Sequence, residues 1–162
     1  MRQFTHLDQS GKATMVDVSA KAETVRTATA QGRIKVNQDI FQAIAAQRAK
    51  KGDVFAVARV AGIMAAKRTS DLIPLCHTVG LTDVQVDFHL CRESWEVEAV
   101  CTAKCVGKTG VEMEALTGVS VALLTIYDMC KAMGHDMVIG PVCLLEKNGG
   151  KSGRYRREER QL

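Results

Sequence analysis

A long alternation near the middle of the chain most constrains its fold. Val84, Val86, Phe88 and Leu90 alternate with Asp83, Gln85, Asp87 and His89; beyond Arg92-Glu93 the pattern resumes as Trp95, Val97, Ala99, Cys101, Ala103 and Cys105. Two neighbouring runs of period two with a polar break between them predict a β-hairpin with one buried face. That face needs a second layer over it, and the apolar stretches on either side of the hairpin carry helical spacing. The 162 residues suffice for one domain that buries about 70% of the surface its unfolded chain exposes. A single domain over 1–162 is expected, with flexible segments at about 1–13 and about 148–162.

Met15-Val16-Asp17-Val18 and Thr24 to Val36 read as extended segments, the second with a bulge or turn at Gln31-Gly32. Asn37 is the expected N-cap of a helix with Ile40, Phe41, Ile44 and Ala45 on one face, running into Arg48, Lys50 and Lys51 and closed by Gly52. Asp53 caps the next, from Val54 to about Asp71, whose apolar residues cover nearly every side. Such a helix needs two partners: the sheet and, by this reading, a second subunit. Thr109-Gly110-Val111-Glu112 has capping-box spacing and predicts the start of a long helix ending near Met133-Gly134. A last strand follows from Val138 to Leu145, where Pro141 argues for an edge position or a bulge. The residues from Lys147 onward hold nothing periodic. Together these elements predict an α+β fold, best matched by a ferredoxin-like antiparallel sheet with helices packed on one face.

Composition narrows the function. The start of the chain has no apolar signal core, and no uninterrupted apolar run approaches the roughly 18 residues of a membrane span, so a cytoplasmic protein without a membrane partner is expected. Six cysteines are then read as reduced thiols. Cys101 and Cys105 fall in register with Trp95 and Val97, which makes them core residues, and no metal site is expected. The net charge of +4 suits an anionic small ligand. Four Phe, two Tyr and one Trp give little material for stacking bases, so nucleic acid is not the expected partner.

Three groups of polar residues break the pattern without a fold reason. Pro74 in Ile73-Pro74-Leu75-Cys76-His77 halts a helix and throws a Cys and a His into a loop. In the long helix, Glu114 and Asp128 recur within about 40° of one direction, and Asp128 can touch Lys131 at i+3. A surface ion pair is the plain explanation; apolar neighbours such as Val119, Leu123 and Ile126 allow an acid-base pair instead. Glu114 and Asp128 stand about 21 Å apart along an unbroken helix, so one small ligand reaches both only if it is long or if the site combines two subunits. The third group is basic: Lys21, Arg26, Lys51, Lys67, Arg68, Lys131, Lys147 and Lys151. Gly149-Gly150-Lys151-Ser152-Gly153 lacks the first glycine of a P-loop and has no helix behind it, which excludes that reading. A ferredoxin-like RNA-binding module and a Cys/His metal protein built on Cys76, His77 and Cys130 remain the alternatives.

Met15 to Val18, Lys51 to Phe55, Ala61 to Thr69, Leu72 to His77, Thr109 to Thr117, Tyr127 to Lys131 and Gly149 to Gly153 together closely resemble the molybdenum cofactor biosynthesis protein C family, the cyclic pyranopterin monophosphate synthases. The resemblance runs from about residue 5 to 154. It implies a lyase that converts 3′,8-cyclo-7,8-dihydro-GTP to cyclic pyranopterin monophosphate with release of pyrophosphate and without a cofactor. It also implies a homohexamer, a trimer of dimers, with active sites at the dimer interface. Carried over by position, Asp128 is the acid-base residue, Lys131 its catalytic neighbour and Lys51 a further functional lysine. Leu75, Cys76, His77, Met113 and Glu114 line the substrate pocket, and Arg26, Lys67, Lys147 and the glycine-rich tail serve phosphate binding and closure. Many family members have proline after the Leu-Cys-His run where this chain has Thr78, and a less rigid turn after His77 is the expected consequence.

Overall fold

The computed structural model describes residues 10–48 and 52–158. Strand β1 (Thr24–Lys35) is followed by helices α1 (Gln38–Ala45), α2 (Val54–Lys67) and the single turn α3 (Thr69–Leu72). Strands β2 (Leu81–Cys91) and β3 (Glu96–Gly107), helix α4 (Glu112–Cys130), and strands β4 (Val138–Asn148) and β5 (Tyr155–Arg156) complete the chain. The strands form one antiparallel sheet in the order β2-β3-β1-β4-β5. The fold is therefore α+β, as the sequence predicts.

The hairpin register follows from the alternation. Leu90 pairs with Val97, Phe88 with Ala99, Val86 with Cys101 and Val84 with Ala103, which puts one set of side chains beneath the helices. Cys101 and Cys105 are fully buried on that face. Its residues are small, Ala28, Ala30, Ala99, Cys101 and Ala103 among them, so α4 lies close to the sheet. A Cβ at Gly32 would stand 2.7 Å from Leu123 Cδ1, so a side chain there would have to displace Leu123 of the helix above it. Val119, Leu123 and Ile126 of α4 and Ile40, Phe41 and Ile44 of α1 fill the same core. Glu112–Met133 is long and apolar enough to span a membrane by length and composition, a property that burial of its apolar side in this core explains.

Two caps form as the sequence predicts: Asn37 accepts from the Ile40 amide at 2.9 Å and Asp53 from the Ala56 amide at 3.0 Å. Other expectations need correction. Helix α1 stops at Ala45, two residues before Gln47 takes φ 54°, so it ends short of Arg48; Lys50 and Lys51 lie outside the described residues. Helix α2 stops at Lys67; α3 follows, and the Thr69 hydroxyl donates back to the Ala66 carbonyl at 3.0 Å. The capping box at Thr109 does not form. Helix α4 begins at Glu112 behind Val111, which makes no side-chain cap, because the Glu112 carboxylate pairs with Lys147 from β4 at 2.8 Å.

Residues 15–18 join no strand, although Val16 and Val18 reach the site described below. The bulge expected at Gln31-Gly32 lies on the β4 side of β1, between the Gly32 and Ile34 pairings; toward β3 the register is unbroken. Gly140 and Pro141 fall in that irregular stretch, and β5 covers β4 only at Glu146 and Lys147, so Pro141 has the open edge its missing N–H requires. Beyond Asn148 the chain is not featureless: it turns through Gly149 to Gly153 and returns as β5.

Candidate active site

The end of β3, the start of α4, the end of β4 and the segment before β1 converge around a cavity of about 730 Å³. Among the described residues its charged lining is Lys21, Arg26, Lys108, Lys147, Lys151 and one carboxylate, Glu112. Arg26 is fixed by its own backbone surroundings: Nε donates to the Gly107 carbonyl at 3.3 Å and an NH group to the Lys108 carbonyl at 3.4 Å. The glycine turn lies directly on this guanidinium. Gly149 and Gly150 have φ +101° and +77°, and a Cβ on Gly150 would overlap the Arg26 side chain. Glycine is required there by both the left-handed backbone and the close approach. Lys147 reaches Glu112 at 2.8 Å with both side chains about 30% exposed, which ties β4 to the start of α4 along the cavity wall.

A smaller cavity of about 190 Å³ adjoins it, lined by Leu75, Cys76, His77, Val79, Met113 and Glu114. His77, Thr109, Gly110 and Glu112 line both cavities. Pro74 positions the Leu75 loop by ending the α2–α3 run, with Ile73 extended before it (φ −111°, ψ 108°). Glu114 is 4% exposed. Loss of hydration raises its carboxyl above the ordinary range, its own backbone N–H opposes that in part, and the nearby Glu112 charge adds to the rise. The same surroundings push the Cys76 thiol up, first by burial and then through Glu114. A carboxyl and a thiol that both hold their protons more tightly than usual, beside a cationic cleft, can exchange protons with a ligand whose anionic groups the cleft receives.

Of the residues singled out by sequence, Leu75, Cys76, His77, Met113 and Glu114 thus come together in the smaller cavity, and Arg26, His77 and Lys147 in the larger. Lys67, exposed in the last turn of α2, lines neither. Asp128 and Lys131 form an ion pair at 2.6 Å at the far end of α4, with side chains 58% and 49% exposed. The hydrogen bond that the Lys131 ammonium donates to Asp128 raises that ammonium above its ordinary range. Lys51 lies outside the described residues. Two charged lining residues escaped sequence reasoning. Glu112 fitted the capping-box spacing and was absorbed by it. Lys108 had only its place between a strand and a Thr-Gly pair as a signal.

Among the described residues, no three of His, Cys, Asp and Glu stand close enough to hold a metal ion, so Cys76, His77 and Cys130 make no ligand cluster. The uncovered face of the sheet carries a Thr29–Thr102 hydroxyl contact at 3.0 Å and a Glu98 carboxylate that accepts from Gln31 and Arg33. Phe41 packs against Trp95 and Phe55 stacks on Phe88, so these rings offer no row of free faces for bases.

Fold and site together define a class: a small α+β protein whose cation-lined cleft, joined to a compact acid- and thiol-lined chamber, is built for a polyanionic small molecule. The MoaC family model matches residues 15–150. A cyclic pyranopterin monophosphate synthase of Heliobacterium modesticaldum is 58% identical over 159 residues, spanning 98% of this chain and all of the relative. Proteins of the same name from Peptoclostridium acidaminophilum and from Geobacillus sp. strain WCH70 are 56% and 52% identical, covering 96% and 98% of this chain and 98% and 94% of their own lengths. The chain belongs to the MoaC family.

Proposed function

We propose that this protein is a cyclic pyranopterin monophosphate synthase of molybdenum cofactor biosynthesis, a lyase that rearranges 3′,8-cyclo-7,8-dihydro-GTP to cyclic pyranopterin monophosphate and releases pyrophosphate. The observation that carries the reading is the pair of cavities sharing His77 and Glu112, one rich in cations and the other holding a buried carboxyl, in a chain up to 58% identical to proteins of that name over nearly its full length. The reaction moves protons and closes a cyclic phosphate without net electron transfer, so positioned acids, bases and ammonium groups suffice. In this reading Arg26, Lys147 and Lys67 serve the phosphates; Leu75, Cys76, His77, Met113 and Glu114 surround the ring system; and Asp128, Lys131 and Lys51 carry the acid-base steps.

Asp128 is about 21 Å from Glu114 along α4, so we assign it to the site of a neighbouring copy. The exposed stripe Val57, Val60 and Met64 on α2, with Leu124 on α4, supplies an apolar face for that copy. The whole is read as a cytoplasmic hexamer, a trimer of dimers of ferredoxin-like single-domain subunits.

Incubation of the purified protein with the cyclic dihydro-GTP tests the activity. Pyrophosphate release and pterin fluorescence after oxidation should rise together in equal amounts; the absence of both refutes it. Sedimentation equilibrium tests the assembly, six copies being expected and a monomer excluding shared sites.

A further inference from the structure

The wall of the larger cavity formed by Val16 to Ala22 belongs to no helix or strand, yet two side chains from other segments of the chain hold it. His77, in the loop after α3, meets the Val16 carbonyl through Nε2 at 2.7 Å. A carbonyl oxygen only accepts, so Nε2 carries a proton in this contact. Lys108, just past β3, donates from Nζ to the Ser19 carbonyl at 2.9 Å. Between these two ties the segment is folded on itself: the Ser19 amide donates to Asp17 Oδ1 at 2.8 Å and the Lys21 amide to the Val18 carbonyl at 3.0 Å. Asp17 is held below the ordinary carboxylate range by its Ser19 hydrogen bonds, with the Lys108 charge as a smaller contribution.

The next cation along this wall is Lys21, which lines the cavity with Arg26 and Lys147. Lys108 acts on two of its walls at once, because its carbonyl also accepts from Arg26 while its ammonium holds Ser19. We propose that Lys108 and His77 are positioning residues that clamp the Val16–Ala22 segment across the cleft, setting Lys21 opposite Arg26 to receive the polyphosphate of the substrate. This inference rests on the reaction proposed above for the identity of the anion, but not for the clamp itself. A cation held in place binds an anion more tightly than one on a free segment, because the ordering cost has already been met in the folded chain.

Inorganic triphosphate binding by calorimetry, with amide hydrogen exchange, tests the clamp on the full-length protein. Lys108→Met should weaken triphosphate binding about tenfold or more, the factor of one lost charge-assisted hydrogen bond. Lys108→Arg, which keeps the donor, should restore most of it. The double variant Lys108→Met/Lys21→Met should bind no more weakly than Lys21→Met alone, since the clamp acts through Lys21. Exchange at residues 18–22 should rise at least about tenfold in Lys108→Met while β1 and α4 keep parental rates. Additive losses in the double variant, unchanged exchange, or a parent protein without affinity for triphosphate each overturn the proposal. Failure of the reaction assignment shows separately, as a parent protein that binds triphosphate but does not turn over the cyclic dihydro-GTP.

Discussion

Helices α2 and α4 cross at two glycines, and the crossing sets the distance between two walls of the smaller cavity, because α2 leads into the Leu75 loop and α4 begins at Glu112. A Cβ placed on Gly62 would stand 2.9 Å from the Gly118 carbonyl oxygen, 3.2 Å from Ala122 Cβ and 3.3 Å from Val86 Cγ2. In an open helix Gly→Ala gains about 1 kcal/mol. Here the nearest atom is backbone, which cannot rotate away, and overpacking of this kind costs about 1–3 kcal/mol. With three tight contacts we take the upper half of that range, so Gly62→Ala should lose about 1–2 kcal/mol net, a fall in Tm of about 2–8 °C for a domain of this size. Thermal and urea unfolding at several protein concentrations measure it, the concentration series separating subunit stability from assembly. Gly118→Ala meets Cys101 Sγ at 2.7 Å, a side chain that can be removed, so Gly118→Ala/Cys101→Ala should be milder than the sum of its single changes. A Gly62→Ala protein that melts at or above the parent would refute the close-approach argument, since propensity alone would then have decided the outcome.

Three further outcomes follow from the site. Burial raises the Glu114 carboxyl above its ordinary 4.5, so the folded chain holds this proton more tightly than the unfolded one, and stability falls as pH rises from the unfolded value through the raised one. Glu114→Gln should therefore unfold at higher urea than the parent at about pH 8 and at nearly the same urea at about pH 4; a difference independent of pH contradicts this. Burial pushes the Cys101 thiol up to about 12, so native protein at about pH 8 should leave Cys101 unalkylated by iodoacetamide, as read by peptide mass mapping, while the half-buried Cys143 reacts. Equal labelling of the two would mean that the sheet face opens. Asp128→Ala and Lys51→Ala should each keep the parental assembly and lose about 10²-fold or more in turnover, the scale of a missing acid-base group, and near-normal turnover of either variant removes it from the mechanism.

Local spacing was enough wherever neighbours in sequence supply the physics. The alternation from Val84 to Cys105 determined a hairpin with one buried face and the burial of two cysteines, because side chains on a strand must alternate between faces, whereas Trp95, read as the start of the second run, lies in the turn at φ 54°. Asn37 and Asp53 determined two helix starts, because the amides they satisfy lie three residues away. The motifs from Met15 to Gly153 determined the family. Thr109 and Glu112 show where such reasoning ends: the spacing of a cap was present, but a lysine 35 residues further on offered the carboxylate a charged partner, and the helix began later. Only the tertiary structure decided that Lys108 would reach back to Ser19, that His77 would hold Val16, and that the glycine turn would rest on Arg26. Those contacts join residues far apart in the chain, Lys108 and Ser19 by 89 positions and Gly150 and Arg26 by still more, and no periodicity within either segment encodes the meeting. They exist because packing α4 on the sheet brings the ends of β3 and β4 and the start of β1 to one rim, where charge and hydrogen bonding complete the site.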